Sequence, residues 1–165
     1  MTEPFRSPPA LPPHTETVRA EWVDYNGHLN VAYYVLIFDQ AAEVWLSAIG
    51  LGEAYRRSER GSLFVVETHV TYLREVHAGD QVRVETLILG HDEKRLHAFL
   101  SMVHAGSGEL AATSETLFLH VDIKSRRSAT FPAFARERLG ALAALHAASP
   151  RPREVGRAIA LGPRR

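Results

Sequence analysis

The chain has no cysteine among its 165 residues. That absence excludes a disulfide framework, a thiolate metal site and a cysteine nucleophile together. It also lacks an excess of charge of either sign, since 19 Lys and Arg balance 19 Asp and Glu. A neutral chain without a dominant basic block argues against nucleic acid as its main partner. No uncharged apolar run reaches the roughly 18 residues of a membrane span. The segment 1–13 lacks the apolar core of a signal peptide. These absences make a cytoplasmic protein with no membrane partner the expectation. The nine histidines are never spaced as helical or hairpin metal ligands, so no metal site is expected.

What is present divides into a body and two tails. Residues 1–13 hold five prolines and read as an extended, flexible arm. Residues 149–165 hold five arginines with little periodicity and read as a basic flexible tail. Between them, 14–148 reads as one domain. His14 to Val23 alternates as a strand, and Asp24-Tyr-Asn-Gly27 is a turn by composition. Val31 to Ile49 follows helical spacing, with apolar residues on nearly every face, so it belongs inside a protein. Gly50 and Gly52 stop it.

Strands follow at Ser62–Val76, Gln81–Leu89, Leu96–His104 and Glu109–Lys124, separated by short turns, and Pro132–Ala148 closes as an amphipathic helix. Four strands in succession joined this tightly make an antiparallel meander. One sheet and one apolar helix must pack together, which gives an α+β domain built around a central helix.

The segment Glu21-Trp-Val-Asp24-Tyr-Asn-Gly27-His28-Leu-Asn30-Val-Ala-Tyr33-Tyr34 resembles the signature of 4-hydroxybenzoyl-CoA-type thioesterases of the hot dog superfamily. Val70-Thr-Tyr72-Leu-Arg74 and Gly79-Asp80 look like that family's second conserved strand and turn. A closer likeness is to the betainyl-CoA thioesterases of carnitine breakdown, carried by Trp22–His28, Val66–His69, Asp92–His97 and Leu119–Asp122. The resemblance implies a hot dog fold of about five strands wrapped around the helix, and hydrolysis of a small acyl-CoA to free acid and CoA. It implies no cofactor beyond the coenzyme A of the substrate, and pairing into a homodimer or homotetramer with the site between subunits.

It further implies that Asp24 is the nucleophile or the general base, and that the main-chain amide of Val31 polarises the thioester carbonyl. The bare amides of a helix N-terminus suit that second role. Each residue also has a plainer reading: an Asx turn for Asp24, backbone geometry for Gly27, an N-cap for Asn30, and a hydrogen-bonded loop residue instead of an auxiliary acid for His28. Trp22, Tyr25, Tyr33, Tyr34 and Trp45 are candidates for an aromatic cage around a quaternary ammonium, or for core packing.

If Phe64, Val66, Val70 and Tyr72 pack on the helix, Glu67 and His69 share the opposite face and reach a cleft, a partner or solvent. Glu43 is a further acidic candidate on the helix. Arg74, Lys94, Arg95 and Lys124, at strand ends and turns, are candidates for the CoA phosphates. Two other functions share the fold: a dehydratase or hydratase pairing His28 with Asp24 or Glu43, and a non-catalytic acyl-CoA-binding module.

Overall fold

The computed structural model describes residues 11–58 and 60–161. In chain order the elements are β1 (His14–Thr17), a 3-10 turn (Ala20–Trp22), α1 (Val31–Ala48), α2 (Glu53–Arg57), β2 (Ser62–Tyr72), β3 (Gln81–His91), β4 (Arg95–His104), β5 (Leu110–Asp122), β6 (Arg127–Ser128) and α3 (Ala133–His146). The strands form one antiparallel sheet in the order β1-β3-β4-β5-β2, with β6 on β5.

The long helix α1 lies across this sheet because one of its faces has nowhere else to go. Ile37, Phe38, Ala41 and Trp45 are buried, and Trp45 meets Phe118 of β5 edge-on at 5.8 Å. Alternate residues of β3 and β4 (Val82, Val84, Leu96, Ala98, Leu100, Met102) complete the same core. Asn30 caps α1, its side chain accepting from the Ala32 N–H at 3.0 Å. At the other end Gly50 takes φ +81°, and the Arg138 guanidinium of α3 donates to the Ile49 carbonyl at 2.7 Å. Ala135 and Leu139 of α3 join the core.

Four readings from sequence need correction. The first strand stops at Thr17, because Trp22 turns inward to stack on Tyr33 at 5.3 Å and the backbone coils to let it. The helix is not enclosed on every side: Val31, Val35, Leu36 and Val44 remain exposed. The meander holds for β3, β4 and β5 only, since β2 pairs with β5 and not with its sequence neighbour β3. The stretch 73–80 makes that crossing past the start of α1, where the Leu29 N–H donates to the Val76 carbonyl at 2.7 Å.

The fourth correction concerns the phase of β2. A bulge between Val65 and Glu67 breaks its alternation. Before it, Leu63 and Val65 are the residues that meet the core or the α1 side, while Phe64 is exposed on the other face. After it, Thr68, Val70 and Tyr72 face inward. The helix α2 and the short β6 were not read from sequence. The proline-rich arm lies mostly outside the described residues. In the basic tail, Glu154 is buried and the Gly156 N–H donates to Glu115 of β5 at 2.7 Å.

Candidate active site

The segment between the 3-10 turn and α1 is a closed loop. A bridge pairs Val23 with Leu29, the Asp24 N–H donates to the His28 carbonyl at 3.2 Å, and the Gly27 N–H donates back to the Asp24 carbonyl at 2.9 Å. Gly27 sits at φ +82°, a left-handed conformation that costs a side-chain-bearing residue energy. This geometry leaves Asp24 half-buried at the mouth of α1.

Its carboxylate is held on both oxygens. Oδ1 accepts from the Asn26 N–H at 2.8 Å, the Asx turn of the plainer reading. Oδ2 lies 3.4 Å from the Asn30 amide nitrogen. Asn30 therefore does two things at once: its oxygen caps α1 and its nitrogen tethers the carboxylate to that cap. The next residue is Val31, 57% exposed, whose N–H meets no acceptor among the described residues. A carboxylate and an open amide thus share one helix terminus, on the positive side of the helix dipole.

The other candidates spread out from there. His28 turns away from Asp24: its Nδ1 lies 3.4 Å from the Leu29 carbonyl and its Nε2 4.0 Å from Glu75. Beyond Glu75 the pairing continues through His77 to Asp80 and His104. The His77 N–H, with help from His104, holds the Asp80 carboxyl below its ordinary value. Trp22 and Tyr33 stack together, with the Arg19 guanidinium 4.7 Å over the Trp22 ring. Tyr34 is buried edge-on to Tyr72, and its hydroxyl donates to the Arg74 carbonyl at 3.2 Å. Burial pushes that phenol up to about 12.

These rings do not converge on one cavity within the chain. Tyr25 is 97% exposed and Trp45 is sealed in the core. Glu67 and His69 pair with Leu117 and Glu115 across the sheet, on the face opposite α1. The basic candidates divide between the two ends of the sheet. Arg74 lies at the Asp24 end, ion-paired with Glu109 at 2.9 Å. Lys94, Arg95 and Lys124 lie at the other end, about 30 Å away along β4. Arg95 is further engaged by Asp92, which accepts from its Nε at 2.7 Å. Among the described residues no group of His, Asp and Glu is arranged to hold a metal ion.

A cavity of about 310 Å³ opens beside the C-terminal half of α1, where Glu43 meets α2 and the start of β2. Its sequence signal was weak, because α2 is five residues long and carries no periodicity.

Residues 18–139 match the family model of the thioesterase-like superfamily. The chain belongs to the thioesterase-like superfamily. It is 45% identical over 146 residues to a betainyl-CoA thioesterase of Pseudomonas aeruginosa, covering 88% of this chain and 92% of that one. It is 37% identical to an L-carnitine dehydrogenase/betainyl-CoA thioesterase of Rhizobium meliloti, spanning 86% of this chain but 28% of that longer protein. A Staphylococcus aureus protein solved in complex with CoA superposes with a TM-score of 0.86 at 32% identity, over 93% of this chain and 96% of that one. A solved structure from Pseudomonas putida gives a TM-score of 0.78 at 41% identity, over 90% of this chain and 95% of that one.

As a member of the thioesterase-like superfamily, the protein has the hot dog fold and is a hydrolase acting on acyl-CoA thioesters. No helix among the described residues is long and apolar enough to cross a membrane.

Proposed function

We propose that the protein hydrolyses a small acyl-CoA, betainyl-CoA above all, at the Asp24–Val31 helix terminus. The observation that carries this is the tether: Asn30 caps α1 and holds the Asp24 carboxylate beside the open Val31 amide. A thioester carbonyl placed between them has its oxygen on the Val31 N–H and its carbon within reach of Asp24. Attack by the carboxylate forms a tetrahedral oxyanion. Its collapse breaks the C–S bond, releases CoA as thiolate and leaves a mixed anhydride that water cleaves. In the alternative, Asp24 takes a proton from water and the water attacks directly. In both routes the negative charge develops at the oxygen facing the amide, where one such donor contributes about 3 kcal/mol to the barrier.

The relatives' names support this choice of acyl group. Both are betainyl-CoA thioesterases, one of them fused to a carnitine dehydrogenase. Gly27 keeps the loop's left-handed turn, and Trp22, Tyr33 and Tyr34 shape the wall beside it. His28 faces Glu75 and not Asp24 or Glu43, which speaks against a hydratase pair. No cofactor is needed besides the coenzyme A of the substrate, and a cytoplasmic location suits a CoA ester.

The second partner is another copy of the chain. The free edge of β2 is eleven residues long, with Phe64, Val65 and Val66 exposed, and the exposed Val35 of α1 shares a shallow pocket with Val65. An edge of this kind invites pairing. A two-fold axis normal to the sheet runs the two β2 strands antiparallel and joins the sheets. The far end of one sheet then meets the Asp24 end of the other. In that arrangement Arg74 of one chain and Lys94 and Lys124 of the second take the CoA phosphates, with Arg95 held in reserve by Asp92, and Glu67 and His69 flank the seam. Further pairing into a homotetramer stays compatible with it.

The test is release of free thiol from betainyl-CoA, followed with a thiol-reactive dye. Turnover with one thiol per ester supports the reading. Consumption of an unsaturated acyl-CoA without thiol release would instead make the protein a hydratase.

A further inference from the structure

We propose that the cavity beside the C-terminal half of α1 is the acyl pocket for a second copy's Asp24–Val31 terminus, and that Glu43 makes it selective for a cationic acyl group. This assignment rests on the Asp24 reading above and adds the group that reads the substrate's charge.

Position comes first. Tyr34 of α1 packs on Tyr72 at the end of β2, while the cavity involves Leu46 of α1 and Leu63 at the beginning of β2. The Asp24 terminus and the cavity therefore stand at opposite ends of the same helix and strand. Within one chain α1 separates them by more than 20 Å, at 1.5 Å per residue over 31–46. Antiparallel pairing of β2 with its copy brings the beginning of one strand to the end of the other. The cavity of each chain then faces the catalytic terminus of its partner.

Chemistry comes second. The cavity walls are Leu46, Leu51 and Leu63, with Glu43, Glu53 and Arg56 as the charged groups. Glu43 is built into place. Its Oε1 accepts from the Ser47 hydroxyl at 3.0 Å and from the Glu53 N–H at 2.9 Å. Gly52 lets the chain close on it, since a Cβ there would stand 2.7 Å from that same oxygen. Oε2 has no hydrogen-bond partner, and no Lys, Arg or His lies within ion-pair distance of Glu43 among the described residues. Glu53, by contrast, is taken by Arg57.

A quaternary ammonium cannot donate a hydrogen bond. It is recognised by aliphatic or aromatic walls for its methyl groups and by an unneutralised negative charge nearby. The cavity supplies the leucines and Glu43 supplies the charge, where the five aromatic residues near Asp24 in sequence do not assemble a cage.

The experiment compares betainyl-CoA with tert-butylacetyl-CoA, its uncharged isostere, on the wild type and on Glu43→Gln. The glutamine keeps an oxygen for Ser47 and Glu53, so the local fold persists. The wild type is expected to favour the cation at least about tenfold. Glu43→Gln is expected to lower kcat/KM for betainyl-CoA about 30-fold while leaving the isostere within about twofold. An equal loss on both substrates, or no loss on the cation, overturns the assignment.

Mixing Asp24→Asn chains with Glu43→Gln chains tests the two-chain geometry. Random pairing gives one intact site in each mixed dimer, so betainyl-CoA turnover should recover to about a quarter of wild type. No recovery overturns the trans placement. Full turnover of both esters by Asp24→Asn alone would overturn the Asp24 reading instead, and the Glu43 selectivity would still be read from the isostere comparison.

Discussion

Asp92 shows how much one side chain can organise. Its Oδ1 accepts from the Lys94 N–H at 2.9 Å and the Arg95 N–H at 2.7 Å, and its Oδ2 from the Arg95 guanidinium. The Arg95 side chain, followed by those two amides, lowers its carboxyl to about 2. A depressed carboxylate contributes stability above its unfolded value near 3.9 and loses it as pH falls toward 2. Asp92→Ala should therefore cost about 1 kcal/mol at pH 7, after allowance for solvent screening, and distinctly less as pH falls toward 2. Urea unfolding of both proteins at the two pH values checks this; a gap undiminished at pH 2 would contradict it.

Asp24, Gly27 and Asn30 were legible in the sequence because turn and cap chemistry acts between near neighbours. The link from the Asn30 amide to Asp24 was not, since only the folded loop decides which way that side chain's nitrogen points. Which of the rings of Trp22, Tyr25, Tyr33, Tyr34 and Trp45 pack in the core was not legible for the same reason: nearness along a chain fixes no direction in space.

At the scale of elements, α1 and the three strands β3, β4 and β5 could be read because their hydrophobic periods run for ten residues or more. The bulge at Val65–Glu67 could not. Its signal is one extra residue, and it reverses which side of β2 faces the helix for everything before it. The pairing of β2 with β5 was equally hidden, because a linker of eight residues looks like a turn and serves as a crossing. The exposed edge that results is the element on which the proposed dimer depends. Val66→Glu, at the bulge, adds a charge to that edge without touching the core. It should shift the protein to monomer by light scattering and depress turnover at least about tenfold, since each site would lose its partner. A Val66→Glu dimer with full activity would remove β2 from the interface.

For the whole molecule, the fold brings a helix terminus, a tethered carboxylate and an open edge to one side of a single sheet. The local parts of that arrangement came from composition and spacing. The long-range parts came from strand order, and with them the division of basic residues between the two ends. The proposed hydrolysis depends on Asp24 beside the Val31 amide. Asp24→Asn preserves the shape of the turn and removes the charge, so circular dichroism and melting should match the wild type. Thiol release from betainyl-CoA should fall about a thousandfold or more. A folded Asp24→Asn protein that keeps a tenth of wild-type kcat would show that the thioester is cleaved elsewhere.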